Sequence, residues 1–560
     1  MSTTAVHHEL ADLLYPHVTR TPEELLAQYP PRALPEGAWV TRFAPSPTGF
    51  VHIGSIMAAL VSRTIAHQSG GVFILRIEDT DKKREQDGSV EAIVRNLINF
   101  GLTPDEGITQ IEPEVESGAY GPYTQSQRMD LYDVFGKRLV ELGLAYPCFA
   151  TEDELETMRK IQEASHVKPG YYGPYAKWRD ADLARVRAEL EAGKRPVIRI
   201  RAPYPTEARI RFTDAVKGDL DMPVNDQDTV LIKSNGLPTY HFAVVVDDTL
   251  MRVNLVIRGD EWLPSAPLHL QLYQYFGLQP PRFAHIAPIA KMDGSSKRKL
   301  SKRKDPEANV MYFYERGYPK EAVAEYLLNL ANSDFYDWRK ANPTVPYTEF
   351  PLKLENMGVS SALFDLVKLN DISKDVIATY TAEQAFEYGL TWARQYDPAL
   401  AAVLEADRAY SVRVFNVERT GDAPRKDLIN WSDIERAVGF FFDPLYEAAI
   451  ARDGYPFPAS VPLDDRRAIL EEVARFDFQQ SKDDWLAAMR ALAERLGYAR
   501  DVKTFKKAEP GTFKGHFGDV MMVVRVALTG KTNTPDLYEI IQTLGPERLQ
   551  RRIAQAETHR

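Results

Sequence analysis

Cysteine is nearly missing from this chain. Cys148 is its single thiol in 560 residues, which excludes internal disulfides and any cysteine-built zinc knuckle. No apolar run approaches the ~20 residues that a membrane-spanning helix needs. The first residues lack a basic-then-apolar signal pattern. They carry Glu9, Asp12, Glu23 and Glu24, unlike an arginine-rich, acid-poor transit peptide, so a cytoplasmic protein is expected. No Gly-Lys-Ser/Thr Walker loop and no Gly-x-Gly-x-x-Gly fingerprint is present, and neither are internal repeats or low-complexity segments. Net charge is −10, which disfavours nonspecific coating of nucleic acid. Local basic faces remain possible partners for it: residues 297–304, and the region with Lys503, Lys506, Lys507, Lys514, Arg525, Arg551 and Arg552.

What is present is organised around Thr41-Arg-Phe-Ala-Pro-Ser-Pro-Thr-Gly-Phe-Val-His-Ile-Gly-Ser55. Residues 40–43 read as a short strand, Pro45, Pro47 and Gly49 force an irregular turn, and an apolar helical run follows Ser55. His52 and Gly54 therefore stand at a helix N-terminus, where unpaired N–H groups favour an anion. Upstream, Thr21-Pro-Glu-Glu24 has the form of a capped helix start, so residues 1–37 are expected to be a small helical extension packed on the body.

From residue 39 strands and helices alternate. Residues 72–77 form a dense β run ending in Glu78-Asp-Thr-Asp81, where Asp79 and Asp81 are expected to cap the next helix, 89–100. A helix follows at 129–142. Residues 145–235 change pattern and read as an insertion, with a charged helix at 151–164 and strands at 197–201, 210–212 and 229–233. The rhythm then resumes. Residues 241–246 read as a buried strand running into Asp247-Asp248, and 255–257 as another. Beyond Asp305 the spacing is almost wholly helical, including 360–369, 381–395 and 431–442. The fold class expected is α/β: a Rossmann-like nucleotide-binding domain with an inserted α+β domain, then an all-helical half.

His52 alone is a weak signal, and Lys299-Leu-Ser-Lys-Arg303 alone reads as a solvated basic loop. Together they point to a triphosphate, with the lysines offsetting the charge of a leaving pyrophosphate. His52-Ile-Gly-Ser55 and Lys299-Leu-Ser-Lys-Arg303 resemble the two signatures of class I aminoacyl-tRNA synthetases. Arg42-Phe-Ala-Pro-Ser-Pro-Thr-Gly49, Arg76-Ile-Glu-Asp-Thr-Asp81, Pro238-Thr-Tyr-His241 and Arg258-Gly-Asp-Glu-Trp262 narrow the resemblance to the glutamyl family, in a longer bacterial form with an N-terminal extension. Ser55 stands where the class motif ends in His. Leu300 and Arg303 replace the Met and last Ser of the lysine loop, and both lysines are kept.

The resemblance implies joining of L-glutamate to tRNA-Glu, and in some members tRNA-Gln, through a glutamyl-adenylate whose glutamyl group passes to the terminal ribose 2′-OH. It implies ATP with Mg²⁺ as substrate complex, no zinc and a monomer. Carried over residue by residue, Arg42, Ala44, Ser46, Glu78, Tyr240, Val244 and Arg258 hold glutamate. Arg42 meets the γ-carboxylate with help from the Tyr240 hydroxyl, Glu78 the ammonium, Arg258 another carboxylate oxygen. Val244 stands where many relatives have a polar side chain, which leaves a backbone contact. His52, Gly54, Glu261, Ile289, Lys299, Ser301, Lys302 and Arg303 hold ATP, with His52, Lys299 and Lys302 catalytic. A carboxylate needs no general base to attack phosphorus, so the lack of a nucleophile–His–Asp constellation agrees.

The implied domains are 1–37 (extension), 38–144 with 236–310 (catalytic), 145–235 (tRNA acceptor end), 311–400 (stem contact) and 401–560 (anticodon), with Arg425, Lys426, Lys506 and Lys514 as candidate phosphate contacts. Alternatives are a glutaminyl enzyme, whose anticodon part is built of β-barrels, a truncated tRNA-modifying relative, and a non-catalytic tRNA-binding paralogue. The last is expected to lose Arg42, Glu78, His52 or Lys302, and all four are present.

Overall fold

Val40–Phe43 is a four-residue strand buried at every position. It runs parallel to Val72–Leu75 in the register Val40↔Val72 to Phe43↔Leu75. Between them lies the helix Ile53–Gln68, whose inner face is Ile53, Ile56, Met57, Leu60 and Val61. Gly71 makes the return to the strand possible: a Cβ there would lie 1.9 Å from the Trp39 carbonyl oxygen, an approach only glycine permits. A second parallel pair is Leu255–Gly259 with Arg282–Ile286. Asn254 stitches the two pairs together. Its Oδ1 accepts from Val40 N (2.7 Å), its Nδ2 donates to Ala38 O (2.9 Å), its N–H donates to Val40 O, and its carbonyl accepts from Arg282 N.

The computed structural model describes residues 3–301, 303–421 and 424–558. The chain divides into two units, Met1–Tyr312 with Ala324–Asp365, and Phe313–Val323 with Leu366–Arg560. In the first unit, the helices Thr3–Leu14 and Pro22–Gln28 form the N-terminal extension. Thr21 caps the second in a reciprocal box with Glu24. Arg32 fastens the extension to the body, with a bidentate pair to Glu106 (2.6 and 2.8 Å) and a bond to Met251 O.

Ala145–Cys148, Val197–Ile200 and Val230–Ile232 make an antiparallel sheet, accompanied by the helices Glu152–Ala164 and Leu183–Glu191. The hairpin Arg209–Asp214 with Gly218–Pro223 joins a different sheet. Asp214 pairs with Phe283, which adds this hairpin to the Leu255–Gly259 and Arg282–Ile286 strands.

The second unit is helical around a core that includes Phe386, Leu390, Trp431, Trp485, Val523 and Ile540. Among the described residues no strand follows Ser296–Lys299, and no helix is long and apolar enough to cross a membrane.

Four readings of the sequence are corrected. Residues 241–246 are not a strand but part of the helix Tyr240–Leu250. Phe242 to Asp248 are all buried, and a helix buried all round shows no polar face to betray its period. Residues 360–365 are not helical. Ala290 N donates to Ala362 O and Phe364 N to Ala290 O, and helix begins at Leu366. Asp79 and Asp81 do not cap the helix Ser89–Asn99, which starts after Gly88 without a side-chain cap. Asp79 instead accepts from Ser126 N and Lys82 Nζ, both at 2.8 Å, and Asp81 from Arg84. Residues 431–442 are a short α-helix, Ile434–Val438, between two 3₁₀ turns.

Candidate active site

The loop after Phe43 is held open by backbone bonds to the segment after the second strand. Glu78 N donates to Pro45 O and Gln86 N to Pro47 O, both at 3.0 Å. Gly49 takes φ +113°, a conformation costly to any side-chain residue. His52 is the N-cap of the following helix. Its Nδ1 accepts from Gly54 N (2.9 Å), which leaves Nε2–H to donate to Leu300 O (3.3 Å). One imidazole thus ties the helix start to the lysine loop. A Cβ at Gly54 would sit 3.1 Å from that Nδ1.

These elements enclose a cavity of about 750 Å³. Its wall includes Arg42, Ala44, Ser46, His52, Gly54, Glu78, Tyr240, Arg258, Glu261, Ile289 and Lys299, all expected from the sequence. Gln125, Lys233, His241 and Trp262 also line it, and none of them had been given a role. Val244 is buried in the core and is not on the wall, nor are Ser301 and Arg303. Lys302 lies outside the described residues.

Beneath Arg42 is a buried ion network. Arg42 Nε lies 3.2 Å from Asp248, Arg76 Nη1 2.6 Å from Asp248, and Arg76 Nη2 3.0 Å from Glu78. Asp247 accepts from Arg128 (2.7 Å), Gln125 (2.9 Å) and Tyr132 (2.9 Å). Adjacent residues of one helix serve two arginine groups because helical steps turn their side chains apart. Burial opposes the charge of Arg76, but Asp248, Glu78 and Asp247 outweigh it and raise its pKa. Burial raises Asp248 too, yet Arg42 and Arg76 prevail and hold it below its ordinary value. For Glu78 burial wins over Arg76 and Arg42, and its pKa rises.

Arg258 has a different environment. Its Nε donates to His285 Nε2 (3.0 Å), and its Nη1 to His269 Nδ1 (3.2 Å) and Tyr240 OH (3.4 Å). Tyr240 also packs on Trp262, rings 4.4 Å apart. His269 and His285 carry no periodic or motif signal in the sequence. His241 lay in a quoted motif, and its neighbour Tyr240 drew the role.

The lysine loop follows the hairpin Ala290–Asp293 with Ser296–Lys299. Leu300 N donates to Ile289 O (2.9 Å), which commits one lone pair of that carbonyl. Lys299 Nζ meets Glu261 at 2.8 Å. Burial acts to raise the Glu261 pKa, but the bond and charge of Lys299, a backbone N–H and His52 together outweigh it and lower it. Asp305, which the sequence reading missed, anchors the loop. It takes both Arg298 nitrogens (2.6 and 2.9 Å) and Ser301 N (2.8 Å). The Arg298 bonds hold its carboxyl well below the usual range. Among the described residues no three His, Cys, Asp or Glu gather as metal ligands.

In the second unit, Lys426 and Lys514 pair with Asp375 and Asp465, both at 2.9 Å, and Arg425 with Asp427. Arg552 is no surface cation: it is buried, donating to Phe440 O and Leu528 O and paired with Asp443.

Comparison with known proteins agrees along the chain. The family described as tRNA synthetases class I (E and Q), catalytic domain, matches residues 38–337, and an anticodon binding domain matches residues 428–557. A glutamate–tRNA ligase of Clostridium perfringens (strain 13 / Type A) is 47% identical over 548 residues, covering 98% of this chain and 100% of its own. One from Sorangium cellulosum is 47% identical over 560 residues, covering 96% and 97%. A solved glutamate tRNA ligase from Elizabethkingia meningosepticum, in complex with its amino acid, superposes with TM-score 0.73 at 28% identity, covering 93% of this chain and 100% of its own. With near-half identity over almost its full length and a catalytic-domain match over more than half of it, the chain belongs to the glutamate–tRNA ligase family of class I aminoacyl-tRNA synthetases.

Proposed function

We propose that this cavity activates L-glutamate with ATP and passes it to tRNA-Glu. The glutamate α-carboxylate attacks the α-phosphorus of ATP, the bond to pyrophosphate breaks, and the terminal ribose 2′-OH then displaces AMP from the activated carbonyl. The observation that carries this reading is that one cavity gathers two sets of groups. Arg42, Glu78, Tyr240 and Arg258 suit an amino acid with two carboxylates, and His52, Gly54, Glu261 and Lys299 suit a nucleotide. Arg42 and Arg258 take carboxylate oxygens, and the Glu78 carboxylate takes the ammonium. Ala44 and Ser46 shape the same wall. Val244 acts only as packing beneath it. The helix start at Gly54 faces the phosphates, with the His52 imidazole beside it as charge builds. Lys299 leaves Glu261 for the triphosphate, which frees Glu261 for the ribose hydroxyls. The remaining lone pair or N–H of Ile289 meets adenine, and Ser301, Lys302 and Arg303 take the phosphates. Mg²⁺ arrives with ATP, bound mostly by phosphate and water, and the chain needs no zinc.

Residues 145–235 take the acceptor end, 311–400 the stem and 401–560 the anticodon, with the chain working as a cytoplasmic monomer. The glutaminyl alternative calls for β-barrels where the described residues of the second unit carry no strand. The test is charging of purified tRNA-Glu and tRNA-Gln with labelled glutamate or glutamine. Glutamate on tRNA-Glu, and no glutamine on either, is the expected result. No charging overturns the proposal, and charging with glutamine moves it to the glutaminyl alternative. Charging of tRNA-Gln with glutamate defines a broader member of the same family.

A further inference from the structure

Arg258 is 6% exposed, lines the cavity, and has no carboxylate against it among the described residues. Its acceptors are two imidazoles and a phenol. Its Nη2 is buried without a hydrogen-bond partner among the described residues. A buried guanidinium is normally balanced by an acid, as Arg42 is by Asp248 at 3.2 Å. Here Asp214 is kept a ring's width away, behind His285. Asp214 Oδ2 takes the Nδ1–H of His285 (2.6 Å) and its Oδ1 takes Val216 N and Lys217 N. The proton on Nδ1 leaves Nε2 with the lone pair that accepts from Arg258. On the other side His269 must accept at Nδ1, so its proton is on Nε2 and is given to His241 Nδ1 (3.1 Å). Both rings are therefore neutral, each in a single tautomer. Burial and the charge of Arg258 hold His269 well below the ordinary histidine value. Burial also lowers His285, against the pull of Asp214.

We propose that His269 and His285 are positioning residues that aim Arg258 into the cavity with neutral acceptors, leaving its charge for a substrate carboxylate. The proposal rests on the reading of the cavity as a glutamate site. An acid in place of either imidazole would orient the guanidinium equally well but would neutralise it before substrate arrived. A neutral acceptor orients it and leaves the site electrostatically unfinished until an anion binds.

The test is an equal-sized pair, His269→Asn and His269→Asp, in the full chain, read by ATP–pyrophosphate exchange with tRNA present. Asn keeps a neutral acceptor near the Nδ1 position, and Asp puts a carboxylate there. The expected glutamate KM stays within about 5-fold of wild type for Asn and rises more than about 30-fold for Asp. The ATP KM moves less than about 2-fold in both, as fits loss of one charge-assisted contact to a single substrate. Equal glutamate KM values for the pair, or parallel changes in the ATP KM, would overturn the proposal. Wild-type exchange with glutamate is the control for the site reading: if it is absent, that reading fails and takes this proposal with it. If it is present and the pair behaves alike, only the positioning role fails. Folding of the variants is bypassed by ¹⁵N-histidine spectra of the wild type. His285 protonated at Nδ1 alone and His269 at Nε2 alone are expected at pH 7. An imidazolium or the reverse tautomer at either position overturns the proposal.

Discussion

Arg42 and Arg258 share a cavity, yet their partners give them different work. Arg42 is balanced by Asp248, which also holds Arg76, and Arg76 in turn holds Glu78. Arg258 leans on histidines, and that makes the fold itself sensitive to pH. His241, His269 and His285 all have pKa values lowered from 6.5, with burial as the first cause and Arg258 acting in the same direction. The charged groups facing them include Asp214, Lys217, Arg42 and Arg258, and of these only Asp214 favours the charged ring. A histidine whose folded pKa is depressed takes up protons in the unfolded chain first. Its stabilisation is complete above the unfolded value near 6.5 and is lost as pH falls towards the folded value. Each histidine adds a slope of up to about 1.4 kcal/mol per pH unit in that window. Glu78, with its raised pKa, works in the opposite sense as pH falls towards the carboxylate range. The clean measurement is therefore a difference: denaturation of the unit holding the cavity between pH 5 and 7.5, in wild type and His285→Gln. The variant is expected to show the shallower loss on acidification. Identical slopes would mean that His285 takes up protons equally in the folded and unfolded chain. Sequence alone could not supply these histidines, because 241, 269 and 285 belong to a helix, another helix and a strand, and no spacing rule joins them.

Single elements were legible where local chemistry dictates them. Pro45, Pro47 and Gly49 can form little besides a loop, and the run from Ile53 cannot avoid being an apolar helix. The Thr21 capping box is present as read, because Thr and Glu three apart satisfy each other's backbone donors without outside help. The helix Tyr240–Leu250 was misread because its valines favour strands in isolation. What makes it a helix is tertiary: only helical steps deliver Asp247 to Arg128 and Asp248 to Arg76. Asp79 was misread for a similar reason, its oxygen being claimed by the distant Ser126 N. Asp305 sits in the same class, since its value lies in bonds to Arg298 and Ser301 that the primary order does not announce. Asp305→Asn keeps the shape and removes the charge that clamps the lysine loop. Misplacing catalytic groups by about 1 Å can cost on the order of 100-fold. The rate of adenylate formation is expected to fall about 10- to 100-fold, with the glutamate KM within about 2-fold of wild type. A rise in the glutamate KM with the rate unchanged would show instead that Asp305 serves the amino-acid wall.

At the scale of the whole molecule, two features were readable from far-separated signals: an interrupted α/β body and a helical remainder. The alternation of strand and helix stops near Asp305, and the last described strand is Ser296–Lys299. Less readable was how the middle of the chain shares itself out. Residues 209–223 lie within the stretch read as an insertion, yet they pair onto the strand Arg282–Ile286 and bring Asp214 to His285. Hydrogen bonding between strands is non-local, so pattern within a segment does not reveal which sheet it joins. In the proposed first step one bond is made and one broken in that cavity. The most direct measurement uses glutamate labelled with oxygen-18 in its α-carboxylate, incubated with ATP, the protein and tRNA-Glu. Attack of that carboxylate on the α-phosphorus places one labelled oxygen in AMP and leaves one on the glutamyl ester. Labelled AMP beside unlabelled pyrophosphate is the expected result. Label in inorganic phosphate with ADP as co-product, or charging of tRNA with no label in AMP, would contradict it.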